Sequence, residues 1–89
     1  MKARYLEVTF RKGKPLAAYL YLPREANAKS AKTEDFGSGL IVDYQADGVP
    51  IGLEIPAPMK VTLDQINAVL GRLNLPFLEP QELTPLKAA

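Results

Sequence analysis

Two stretches near the start of the chain repeat apolar residues at every second position, and two more follow in its middle. In residues 4–10, Leu6, Val8 and Phe10 fall on one side and Tyr5, Glu7 and Thr9 on the other. In residues 16–22, Leu16, Ala18, Leu20 and Leu22 face Ala17, Tyr19 and Tyr21 in the same way. A period of two is the mark of a half-buried strand, because successive side chains leave a strand on opposite faces. Between the two runs lies Arg11-Lys12-Gly13-Lys14-Pro15, with a glycine suited to a positive φ. Setting Phe10 opposite Leu16 puts Val8 on Ala18, Leu6 on Leu20, Glu7 on Tyr19 and Tyr5 on Tyr21. Both faces then agree, whereas a slip by one residue would turn the apolar face to water.

The second hairpin is predicted from residues 40–44 and 49–55, with Asp47-Gly48 as the turn. Leu40, Val42 and Tyr44 share a face with Ile51, Leu53 and Ile55. Asp43, Ile41, Gly52 and Glu54 occupy the other. Residues 23–30 read as a loop, opened by Pro23, which has no N–H for a ladder. Residues 31–35 read as a short edge strand.

The sheet is predicted to end at Pro56-Ala57-Pro58. A helix follows over residues 62–73. Thr62 and Gln65 have the spacing of a capping box, and Asp64 suits the positive end of the helix dipole. Leu63, Ile66, Val69, Leu70 and Leu73 form an apolar stripe at helical spacing. Asn74 accepts a left-handed conformation and Pro76 forbids continuation. Residues 75–89 place Leu75, Phe77, Leu78, Leu83 and Leu86 among Pro76, Pro80 and Pro85, and residues 79–83 suit one helical turn with proline in first position. So apolar a tail is expected to lie on its own domain or on another chain.

The fold class expected is therefore α+β: a mostly antiparallel sheet of four or five strands in meander order. Residues 1–57 form the sheet. Residues 58–89 supply the helix and an apolar, proline-containing tail of the same domain. The helix is expected on the Leu6, Val8, Leu20, Val42 and Leu53 face, since one helix over one sheet buries the inner surface.

Composition narrows the chemistry. With 47% apolar residues the 89-residue chain is rich enough to bury a modest core. It has no cysteine and no histidine, so disulfides, thiolate sites, serine triads and imidazole acid–base chemistry are excluded. No glycine-rich phosphate loop is present, because Gly37-Ser38-Gly39 lacks the following lysine and helix. The first residues carry no apolar run of signal-peptide type, and no stretch reaches the ~20 apolar residues of a membrane span. The expected location is the cytoplasm, with no membrane contact. Residues 1–32 hold eight basic and two acidic residues; residues 33–89 hold three basic and eight acidic. Because the basic residues are scattered rather than in a run, attraction between the two halves accounts for them better than a nucleic-acid arm.

Two groups of residues remain as candidate sites. Tyr5, Tyr19 and Tyr21 share the outward face of the first hairpin. Such a stripe fits a protein–protein or dimer interface, where tyrosine is enriched, better than plain exposure or nucleic-acid stacking. Phe77 and Leu83 of the tail join it as candidate partner contacts. Asp43 and Glu54 share the outer face of the second hairpin, where paired carboxylates can do acid–base work or take a ligand or hard cation. A solvated face with Gly52 as a packing point explains them more simply. No metal or cofactor is expected, and no enzyme activity.

The segment Gly39-Leu40-Ile41-Val42-Asp43-Tyr44-Gln45-Ala46-Asp47-Gly48-Val49-Pro50-Ile51-Gly52-Leu53-Glu54-Ile55 resembles the small bacterial family called domain of unknown function 2283, with its Val-Asp-Tyr strand, turn glycine and Glu-Ile ending. Ala18-Tyr19-Leu20-Tyr21-Leu22 is similar to that family's second strand, and Lys32-Thr33 to its short third. The first turn is basic and longer here, Gln45 stands where an acid is usual, and residues 58–89 have no counterpart. The resemblance implies a small antiparallel sheet and, from some members, an antitoxin-like regulator of a small partner protein. The reading that joins these features is a protein-interaction module, a homodimer or a partner of a second small protein. The alternatives are a carboxylate-based metal or ligand site and a weak nucleic-acid binder.

Overall fold

A computed structural model describes residues 4–84. Five strands form one antiparallel sheet: β1 (Tyr5–Arg11), β2 (Lys14–Tyr21), β3 (Lys32–Asp35), β4 (Ile41–Tyr44) and β5 (Pro50–Ile55). One helix, α1 (Leu63–Arg72), follows. Single 3₁₀ turns lie at Pro58–Lys60 and Pro80–Leu83.

The strands stand in the order β1-β2-β5-β4-β3, which is not the expected meander. After β2 the chain crosses the ends of β5 and β4. The Leu22 N–H donates to Ile51 O, and the Ala31 N–H donates to Tyr44 O. It then descends as β3 at the far edge and returns through β4 to place β5 beside β2. Strands β2 to β5 thus form a Greek key. Burial explains the order. All four residues of β3 are exposed, as suits an edge, whereas Ile51, Gly52, Leu53 and Ile55 of β5 are buried and need a strand on each side.

The first hairpin keeps the expected pairs Tyr5–Tyr21, Leu6–Leu20, Glu7–Tyr19 and Val8–Ala18. The pair Phe10–Leu16 does not form. The register shifts between Thr9 and Phe10, so that Phe10 faces Pro15. Pro15 is buried, and Leu16, expected inside, is 51% exposed. A bulge of one residue reverses the alternation beyond it. The turn that demands this register is the two-residue loop Lys12-Gly13, with φ of 53° and 78°. Two successive positive φ values are the signature of the type I′ turn, whose twist matches that of the strands.

The apolar positions of all four central elements meet in one core. Leu20, Leu22, Leu40, Val42, Leu53 and Ile55 of the sheet side pack with Ile66, Val69 and Leu70 of α1, while Leu6 and Val8 border them. Full burial of a leucine such as Leu20 contributes roughly 2 kcal/mol. The helix is framed by local signals. Thr62 Oγ1 accepts the Gln65 N–H at 3.1 Å and Gln65 Oε1 accepts the Thr62 N–H at 2.9 Å, which completes the capping box. At the other end Asn74 adopts φ 59°, and the N–H groups of Leu75 and Asn74 donate to Leu70 O and Gly71 O. That is the Schellman pattern.

The tail returns to its own chain as far as it is described. Leu78 and Leu83 are buried in the core. Asn67 of α1 grips Leu78 twice, donating to its carbonyl at 3.2 Å and accepting its N–H at 2.7 Å. The Arg4 guanidinium, at the start of the sheet, donates to the carbonyls of Pro76 and Phe77 and pairs with Glu82 at 3.3 Å. Pro85 and Leu86 lie outside the described residues.

Candidate functional site

The sheet face opposite α1 carries two rows of side chains, set by strand register. One row runs Tyr5, Tyr21, Gly52, Asp43, Thr33 across the five strands. The next runs Glu7, Tyr19, Glu54, Ile41, Asp35. The tyrosines of the first hairpin and the carboxyls of the second, separate features of the sequence, are therefore one surface. They meet because β5 pairs with β2.

Tyr19 makes the join. It stands opposite Glu54, yet its ring leans over Gly52 and its hydroxyl donates to Asp43 Oδ2 at 2.8 Å, two strands away. Glycine at 52 is what permits this. A Cβ there would fall 1.8 Å from the Tyr19 hydroxyl oxygen. The same cover makes Asp43, at 7% exposure, the buried charged residue of the described chain, where sequence alone favours a solvated carboxylate. Its Oδ1 is buried too, and accepts no hydrogen bond from the described residues.

Electrostatics follow from this burial. The Glu54 carboxyl is held above the usual glutamate range, first by the side-chain contact with the Asp43 carboxyl, then by partial burial, then by the like charge. The Tyr19 phenol is pushed above its ordinary value, chiefly by burial and then by the Asp43 carboxyl it bonds. Arg24 acts in the opposite sense on the same hydroxyl.

The aromatic half is equally ordered. Tyr5 and Tyr21 stack with centroids 4.6 Å apart and planes 14° from parallel. Tyr19 meets Tyr21 edge-on at 4.7 Å. Arg24 lies over the Tyr21 ring at 4.9 Å, and the Tyr21 hydroxyl donates to Glu7 at 3.1 Å. Hydroxyl bonds and ring contacts thus fix Tyr19 and Tyr21 in place, while Tyr5 stays 46% exposed at the β1 edge.

The tail residues are divided. Phe77 is 61% exposed and rests its ring near Gly71 on the helix side of the molecule, away from the tyrosines. Leu83, expected as a partner contact, is instead 4% exposed in the chain's own core, because the 3₁₀ turn at Pro80–Leu83 folds it inward. The sequence marks Gly52 as a packing point, which the Tyr19 ring seated on it bears out. It does not say that the packing partner is Tyr19, and it does not single out Arg24, since both depend on strands paired across the loop of residues 22–31.

Among the described residues no group of three or more histidine, cysteine, aspartate or glutamate side chains is placed to hold a metal ion. The basic side chains of the amino-terminal half are dispersed, with Arg4 on the tail, Arg24 over Tyr21 and Lys32 over Tyr44. Among the described residues no helix is long and apolar enough to cross a membrane.

Comparison with curated proteins gives no match, and comparison with solved structures gives none either. Residues 17–56 match a protein family of unknown function (DUF2283), the family the sequence resembles, so the segment from β2 through β5 that carries Tyr19, Tyr21, Asp43, Gly52 and Glu54 bears that family's pattern.

Proposed function

We propose that this protein is a non-enzymatic interaction module that pairs with a second copy of itself through the tyrosine-bearing face of the sheet. The observation that carries this reading is the locked tyrosine cluster: Tyr21 stacked on Tyr5, crossed by Tyr19, with both inner hydroxyls anchored on carboxyls. Tyrosine supplies a large contact area at low entropic cost, and rings already held in place lose little more on binding. The face also carries both charge signs, Arg24 over the Tyr21 ring and Glu7 on its hydroxyl, with Asp35 in the same row as Glu54, which suits a surface meeting its own copy about a two-fold axis. Leu78 and Leu83 of the tail do not compete for this role, since they are spent on the chain's own core.

Sedimentation velocity on the wild type, on the Tyr19→Glu/Tyr21→Glu double variant and on Tyr5→Glu tests the proposal. The wild type is expected to sediment as a dimer. The double variant is expected to sediment as a monomer, and Tyr5→Glu, at the exposed rim, to weaken the dimer without disturbing the fold. A wild type that stays monomeric at high concentration, or a Tyr5→Glu variant and a folded double variant that both dimerise as well as wild type, would overturn it.

A further inference from the structure

The middle of the tyrosine face holds two carboxyl groups where an interface would least tolerate two charges. Asp43 stands opposite Gly52 and Glu54 opposite Ile41, so the two are diagonal neighbours on adjacent strands. Asp43 is more than nine-tenths buried. Its Oδ2 is taken by the Tyr19 hydroxyl, and its buried Oδ1 has no donor among the described residues. A buried carboxylate oxygen without a donor is rare in a settled structure. Two ionised carboxylates cannot serve each other, because neither has a hydrogen to give. A single proton on Glu54 supplies the donor that Oδ1 lacks.

The other groups facing this pair do not supply it. From β1, Glu7 is an acceptor engaged by Tyr21, and Tyr5 stacks on Tyr21. From β2, Tyr19 is committed to Oδ2 and Tyr21 to Glu7. From β3 come Thr33, opposite Asp43 and exposed, and Asp35, a further carboxyl. From the loop after β2, Arg24 lies over Tyr21 and beside the Tyr19 hydroxyl. The charged group acting on Glu54 is Asp43.

We propose that Asp43 and Glu54 hold one proton between them and that this proton gates the pairing of two copies. With the proton in place, Glu54 donates to Asp43 Oδ1 and the face carries one charge fewer. When the proton leaves, two adjacent carboxylates stand in the contact and the copies separate. The inference rests on the interface proposed above.

The sign of the linkage follows from the folded chain. Glu54 keeps its proton above the ordinary glutamate range, owing first to its contact with Asp43, and burial in a dimer adds to the same effect. The favourable contribution to pairing is complete below the already raised Glu54 pKa of the free copy and is lost as pH rises through the still higher one in the pair. Association takes up protons, so affinity falls with rising pH.

Sedimentation equilibrium from about pH 5 to about pH 9 reads this directly. With one carboxyl per copy, the wild-type Kd is expected to rise with pH by up to about 100-fold per unit within the window. Glu54→Gln keeps a donor and has no charge, so its Kd is expected to be flat and low throughout. A wild-type Kd that does not change with pH, or a Glu54→Gln variant with the wild-type slope, refutes the gating and leaves the dimer standing. Monomers at every pH in both proteins refute the interface itself. A carbon-13 titration of the Glu54 carboxyl in the wild type decides independently of the variant. A midpoint above the usual range that climbs with protein concentration supports the gate, and an ordinary midpoint refutes it.

Discussion

Replacing Gly52 by alanine tests the geometry on which the outer face depends. The added Cβ would sit 1.8 Å from the Tyr19 hydroxyl oxygen and 2.2 Å from the ring carbon that bears it, so the ring has to swing away. Three terms decide the outcome. Loss of the Tyr19–Asp43 hydrogen bond, which leaves the buried Asp43 Oδ2 without its donor, costs about 1.5–3 kcal/mol. Loss of the edge contact with Tyr21 costs about 0.5–1.5 kcal/mol. The lower chain entropy of alanine in a strand returns about 0.5–1 kcal/mol. The net expectation is a loss of about 2 kcal/mol, or roughly 10 °C in Tm for a chain this short. Urea unfolding with an unchanged m-value reads it. The decisive arm is the same substitution in a Tyr19→Ala background. With the ring gone the new methyl group has room, and Gly52→Ala is expected to be neutral or slightly stabilising there. An equal cost in both backgrounds would show that the glycine serves the backbone rather than the Tyr19 ring, and would refute the reasoning.

Two other regions carry expectations of their own. Lys12 holds φ 53° in a type I′ turn before Gly13, a place where asparagine is preferred, so Lys12→Asn is expected to raise stability by about 0.5–1 kcal/mol in a thermal melt; an unchanged Tm would contradict the turn assignment. Glu82 is held below the usual carboxylate range, first by the Glu79 N–H it accepts at 2.8 Å and then by Arg4. Its contribution is present above the ordinary glutamate pKa and is lost as pH falls through the lowered value, so acidification is expected to speed amide exchange at Leu78, Glu79 and Glu82 relative to the strands, after correction for intrinsic rates. Protection that stays constant into the acid range would mean that Asn67 and the buried leucines hold the tail without the carboxylate.

What could be read from the chain itself was whatever neighbouring residues decide together. The period-two runs located β1, β2, β4 and β5, since a strand exposes its two faces in strict alternation. Thr62 and Gln65 located the start of α1, and Asn74 with Pro76 located its end, because capping and chain reversal are settled within one turn of helix. The turns at Gly13 and Gly48 were legible because both hold positive φ values that most residues resist. The inward face of the sheet followed from the same alternation, apart from the end of the first hairpin, where a bulge one residue long left Phe10 45% exposed and exchanged Leu16 with Pro15.

Tertiary structure decided the rest, and for one reason: it turned on pairs of residues far apart in the chain. No local signal says that β5 rather than β3 lies beside β2; that choice comes from the burial that Ile51, Leu53 and Ile55 require and that Lys32, Thr33, Glu34 and Asp35 do not. The placing of β5 in turn brings Gly52 under Tyr19, buries Asp43 and joins the tyrosines to the carboxyls. The fate of the tail has the same origin. Its apolar residues announced that it needed a surface, and for its described part Arg4, which reaches across 78 positions to Glu82, and Asn67, which holds Leu78, determine that the surface is the chain's own.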